Sequence, residues 1–101
     1  IEKNINNGLL LVNSPSIIDT IWFMENKTTD TNPNNGKGIY VQGGSPEVKN
    51  SNIWNNYYGL YIDDWLDLNN VKFLANVLLS NNSFIGNTFD IWDVNNPPPV
   101  P

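Results

Sequence analysis

At 101 residues, 40% apolar and without cysteine, the chain has room for one small core and holds no disulfide framework or thiolate metal site. Five lysines, no arginine and ten acidic residues give a net charge of −5, which leaves no basic stripe to follow a phosphate backbone and argues against nucleic acid as a partner. The apolar runs fall far short of the roughly 20 residues needed to span a bilayer, and without His, Cys or Arg the common nucleophile and general-base pairings have no side chains to run on.

The first predicted strand is Gly8-Leu9-Leu10-Leu11, followed by Pro15-x-Ile17-x-Asp19-x-x-Trp22-x-x-Glu25. Next, 26–37 holds no apolar residue and many turn formers, which predicts a surface-loop insertion. Within it Asn26-Lys27-Thr28 matches the glycosylation acceptor pattern, as does Asn81-Asn82-Ser83 later on.

A second strand, Gly38-Ile39-Tyr40-Val41, leads to Pro46-x-Val48-x-Asn50-x-x-Ile53-x-x-Asn56, and a third, Gly59-Leu60-Tyr61-Ile62, leads to Leu66-x-Leu68-x-Asn70-x-x-Phe73-x-x-Asn76. The aliphatics in each strand fall two apart, so they face the core while Tyr40 and Tyr61 face out. Asp19, Asn50 and Asn70 share one phase and are expected to form a corner ladder of side chains, which accounts for part of the 20 asparagines. A further match, Val77-x-Leu79-x-Asn81-x-x-Phe84-x-x-Asn87, comes only 11 residues after its counterpart. Either a strand is skipped there or the last unit is abbreviated.

The glycine-led repeats, above all Gly38 to Asn56 and Gly59 to Asn76, resemble the short repeat of right-handed parallel β-helix proteins, the pectate-lyase-like group. The resemblance covers roughly Gly8 to Trp92. It implies an all-β fold, a right-handed parallel β-helix or solenoid of about four to five short coils over 1–94, with 95–101 as a Pro-rich linker or tail. A leucine-rich repeat is the nearest rival, but the Gly8 and Gly38 units lack its leucine framework. The resemblance further implies an extracellular or cell-surface location, as a segment of a larger protein. Open ends with unpaired strand edges would permit end-to-end self-association.

Two constellations carry candidate chemistry. Asp63, Asp64 and Asp67 form the densest acidic cluster and are the candidate calcium ligands; no other cofactor is implied. Adjacent aspartates resemble those of β-helix polygalacturonases, yet that family also uses a histidine and basic residues, and the pectate lyases of the same fold use an arginine base. Neither residue type is present. The aromatic residues Tyr40, Tyr61, Trp54, Tyr58 and Trp65 are the candidate carbohydrate-binding set, with Tyr40 and Tyr61 stacked about 4.8 Å apart as a flat strip. The alternative is that the tyrosines only stabilise their sheet and that Trp22, in phase with Ile53, fills the core. The expected role is a non-catalytic scaffold binding a polysaccharide or cell-surface glycan. A fragment of a polysaccharide lyase or glycoside hydrolase, and a self-assembling filament element, are the competing expectations.

Overall fold

The computed structural model describes residues 1, 2, 4, 7–26 and 36–97, and every regular element among them is a β-strand. The chain runs through β1 (Asn7–Val12), β2 (Ile17–Asp19) and β3 (Trp22–Met24), then β4 (Lys37–Gln42), β5 (Glu47–Lys49) and β6 (Asn52–Trp54). It continues through β7 (Tyr58–Asp63), β8 (Trp65–Leu66), β9 (Lys72–Phe73), β10 (Leu78–Ser80), β11 (Ser83–Ile85) and β12 (Phe89–Asp93). Three parallel sheets result, ordered β1-β4-β7-β12, β2-β5-β10 and β3-β6-β11. Each passage of the chain thus adds one strand to each sheet in turn, and β12 opens a fourth passage.

The alternation read from the glycine-led strands places Leu9, Leu11, Ile39, Val41, Leu60 and Ile62 in or against the core, joined by Ile18, Val48 and Leu79 from the second sheet and Phe23, Ile53 and Phe84 from the third. Ile39, Val41, Val48 and Ile53, all of the middle passage, are completely buried. Ile18, Leu79 and Phe84, of the outer passages, are only partly so, whereas Phe23 of the first passage, where the Glu2–Met24 bridge adds a neighbour beyond β3, is completely buried. The reason is simple: a single passage cannot cover its own apolar row and needs a neighbour on both sides.

The pairing corrects two units of the repeat. Val48 lies between Ile18 and Leu79, and Ile53 between Phe23 and Phe84. The first unit is therefore one residue out of step in the sequence reading, and because side chains alternate, that slip exchanges the faces. Phe23 is in the core and Trp22 is half exposed. The third unit is the Val77–Asn87 match. Leu66 to Asn76 is an excursion, in which β8 and β9 pair antiparallel around a turn whose backbone amides at Asn69 and Val71 donate to the Asp67 carboxylate. Its leucines are on the surface: Leu68 is fully exposed and Leu66 more than half so.

Two asparagine ladders tie the passages together. On one corner Asn50 donates to the Asp19 carboxylate at 3.0 Å and accepts from Asn81 at 2.8 Å, so the third rung is Asn81, and Asn70 sits apart in the β8–β9 turn. Thr20, Asn50 and Asn81 all hold positive φ at this corner, a conformation that asparagine tolerates better than most residues. The second ladder is internal. Asn4 Nδ2 donates to Asn26 Oδ1, Asn26 Nδ2 to Asn56 Oδ1 and Asn56 Nδ2 to Asn87 Oδ1, each at 3.0 or 3.1 Å, and the same three oxygens accept the backbone N–H of the rung before. Asn26 and Asn56 are buried.

This internal ladder explains the leading glycines. A Cβ on Gly38 would lie 2.7 Å from the carbonyl oxygen of Gly59 and 3.0 Å from Asn56 Nδ2, and one on Gly8 would lie 2.6 Å from the oxygen of Gly38 and 3.1 Å from Asn26 Nδ2. No side chain fits between a ladder rung and the next strand. The same geometry changes the expected loop over 26–37. Residues 27–35 lie outside the described residues, but Asn26 is a buried rung and Lys37 is a buried residue of β4. The acceptor pattern at Asn26 is thereby enclosed, whereas Asn81 is on the surface.

Candidate functional site

Where β7 ends, the chain leaves the sheet for the β8–β9 hairpin, and the segment after β12 comes back beside it. The three pieces enclose a groove of about 360 Å³ lined by Asp63, Asp64, Trp65, Leu66, Lys72, Val94 and Asn95. Asp64 organises it. Its Oδ1 accepts the backbone N–H of Ala75 at 3.1 Å, while Oδ2 accepts Asn95 Nδ2 at 2.9 Å and faces Lys72 Nζ at 3.4 Å. The Asn95 bond first, then the Ala75 bond and Lys72, hold the Asp64 carboxyl below its usual range. Trp65 is fixed from one side by Phe73, with ring centroids 5.4 Å apart and planes 28° from parallel. The aromatic ring, the two carboxylates, the amide and the ammonium group thus share one depression.

Asp63, Asp64 and Asp67 do not converge on a point. Asp63 Oδ1 accepts the N–H of Asp64, Asp64 is engaged as described, and Asp67 caps the hairpin turn. Among the described residues no three acidic side chains come together as a cation cage.

The five aromatic candidates separate into three places. Tyr40, Tyr58 and Tyr61 meet on the outer face of the four-stranded sheet, together with Tyr57, Phe89 and Trp92. Tyr40 and Tyr61 are paired across strands as expected, with centroids 5.2 Å apart, but their planes cross at 71°. They form an edge-to-face pair and not a flat strip, since the negative face of one ring prefers the positive edge of the next. Tyr58 is almost wholly buried at 5% exposure. Lys37 Nζ lies over the Tyr40 and Tyr61 rings, 4.8 Å and 4.6 Å from their centroids, a cation–π arrangement that contributes to holding a lysine at 1% exposure. Trp54 lies on the third sheet beside Trp22, with centroids 5.0 Å apart. Trp65 alone of the five lines the groove.

Burial raises the Tyr58 and Tyr61 phenols above their ordinary value of 10.0, with neighbouring phenols adding to it, and burial lowers Lys37 below 10.5. An absorbance titration at 295 nm is therefore expected to show Tyr58 and Tyr61 ionising later than a free tyrosine. A phenol whose folded pKa is raised favours the folded state while it is neutral, so stability from these two falls as pH climbs past 10. A Tyr58→Phe variant should remove one late-titrating group and part of that alkaline loss.

Lys72, Asn95, Leu66 and Val94 were not recognisable as site residues from sequence. Asn95 stands in what reads as the start of the proline-rich tail, and Leu66 reads only as the repeat position equivalent to Pro46. No protein-family model, curated protein or solved structure matches the chain.

Proposed function

We propose that this chain is a non-catalytic carbohydrate-binding scaffold of the cell surface or extracellular space, and that its three parallel sheets are the faces of a right-handed parallel β-helix. The constant strand order in all three sheets and the recurring inward columns support the fold reading. The groove around Trp65 carries the functional one. Sugar rings present an apolar C–H face and a rim of hydroxyls; an indole immobilised on Phe73 serves the first, and the Asp63 carboxylate and the Asn95 amide, which the covered Asp64 holds in place, serve the second. The volume is at the small end of the range for small-molecule sites, in keeping with one or two sugar units. Lys72 is already paired to Asp64, so two carboxylates and one ammonium leave the groove net negative. Neutral glycans are favoured over uronates on that account.

The test is a calorimetric and tryptophan-fluorescence titration with neutral oligosaccharides and with oligouronates. Trp65→Ala is expected to weaken binding of a neutral glycan at least about tenfold, or ~1.4 kcal/mol, while Trp54→Ala leaves it unchanged. Failure of every neutral glycan to bind, or equal affinity of Trp65→Ala and the parent, would overturn the reading.

A further inference from the structure

We propose that Asp90 is a built-in stop, which prevents a second copy of this chain from adding its β1 edge to β12. In the first sheet and along the internal ladder the two ends are otherwise complementary. All strands of the first sheet run parallel, and the bonds of the internal ladder all point the same way, from each rung to the next. At one end Asn87 is the last rung; at the other, Asn4 is the first, and Glu2 bridges Met24 in parallel beside β3. A second copy set on the first in the same register would place its β1 against β12 and its Asn4 against Asn87. Nothing in the strand directions forbids endless repetition, the usual hazard of an open sheet edge.

The glycine column is where it fails. Gly8, Gly38 and Gly59 occupy equivalent places in successive strands, and a Cβ on any of them would stand 2.6 or 2.7 Å from the carbonyl oxygen of the strand above. For Gly59 that oxygen belongs to Asp90, so β12 follows the same course as the strands beneath it. At Asp90 the column finally carries a side chain. A strand added above in the same geometry would drive its oxygen, that of Gly8 in the second copy, into the Asp90 Cβ, at a distance that real contacts do not adopt. The carboxylate closes the ladder as well. Asn26, Asn56 and Asn87 each give one Nδ2 hydrogen to a carbonyl of the passage below, of Ile1, Phe23 and Ile53; Asn26 and Asn56 give the other to the next rung, whereas Asn87 gives it to Asp90 Oδ1 at 3.2 Å. The donor that would receive the next copy is already occupied.

Sedimentation velocity over a wide concentration range tests this, on the parent chain, Asp90→Gly and Asp90→Asn. The parent and Asp90→Asn, which keeps the Cβ and an accepting oxygen, are expected to hold the monomer mass of 11.4 kDa. Asp90→Gly, which restores the column, is expected to gain mass steeply with concentration. A concentration-independent Asp90→Gly would overturn the proposal. So would association of the parent, or an Asp90→Asn that associates as readily as the glycine variant, since charge and not shape would then be the barrier. Loss of folding in Asp90→Gly would count against it too, because the three other strands hold glycine at that place.

Discussion

Asn56→Ala is expected to lose about 3–5 kcal/mol of stability, a large share of the roughly 5–15 kcal/mol that a domain of this size has to lose. The side chain is buried and makes four hydrogen bonds. Oδ1 accepts from the backbone N–H and from Nδ2 of Asn26, both at 3.0 Å, and Nδ2 donates to the carbonyl of Phe23 at 3.0 Å and to Asn87 Oδ1 at 3.1 Å. Truncation leaves those partners without the amide that pairs them, and an unsatisfied buried polar group costs about 1–3 kcal/mol. The four are neighbours, so their costs do not add in full. Asn81→Ala makes the contrast, since its one ladder bond, to Asn50, is at the surface; its loss is expected to stay at about 1–2 kcal/mol, most of it from placing alanine at positive φ. Urea unfolding of the two variants at neutral pH checks both values. Equal midpoints would remove the claim that the internal ladder, and not the surface one, holds the sheets together.

Gly38→Ala should be about as damaging as the loss of a ladder rung, although it only adds a methyl group. The added carbon would press on the Gly59 oxygen at 2.7 Å and on Asn56 Nδ2 at 3.0 Å. Relief requires either the parallel pairing of β4 with β7 or the rung at Asn56 to shift, and overpacking of this kind costs about 1–3 kcal/mol, with broken hydrogen bonds in addition. Elsewhere in strands, alanine in place of glycine is mildly favourable by about 0.5–1 kcal/mol. The sign of the change is therefore diagnostic. Asp90→Ala tests the same column where a Cβ already exists, and is expected to melt close to the parent. A stabilised Gly38→Ala would show that the glycines serve chain flexibility and not the fit of ladder against strand.

These two effects concern residues that the sequence already singled out, which raises the question of what its letters could reveal. The alternation in Gly38-Ile39-Tyr40-Val41 and Gly59-Leu60-Tyr61-Ile62 was enough to separate core from surface, because a strand has a period of two and no neighbour can alter it. The corner asparagines were legible for a similar reason: positive φ at Asn50 and Asn81 is a local preference of the residue. Pairing is not local. Leu66-x-Leu68-x-Asn70 fits the repeat as well as Val77-x-Leu79-x-Asn81 does, and which of them aligns with Val48 depends on whether Asn87 can complete the ladder above Asn56. The better clue was the pair of consecutive corner residues, Asn55-Asn56 and Gly86-Asn87, in which a positive-φ residue precedes a rung. Asn76 follows no such residue.

Composition and period by themselves determined an all-strand chain with an aliphatic core, outward tyrosines and little means for imidazole or thiol chemistry. Only the tertiary structure decided which passages align, that Trp22 faces out while Phe23 faces in, and that Trp65 shares a groove with Lys72 and Asn95 while Tyr58 does not. The physical reason is the reach of the interactions. Turn preference and side-chain alternation act within a few residues, whereas the ladder bonds span 22, 30 and 31 residues and the Asn95–Asp64 bond spans 31; contacts of that reach exist only once the passages have met.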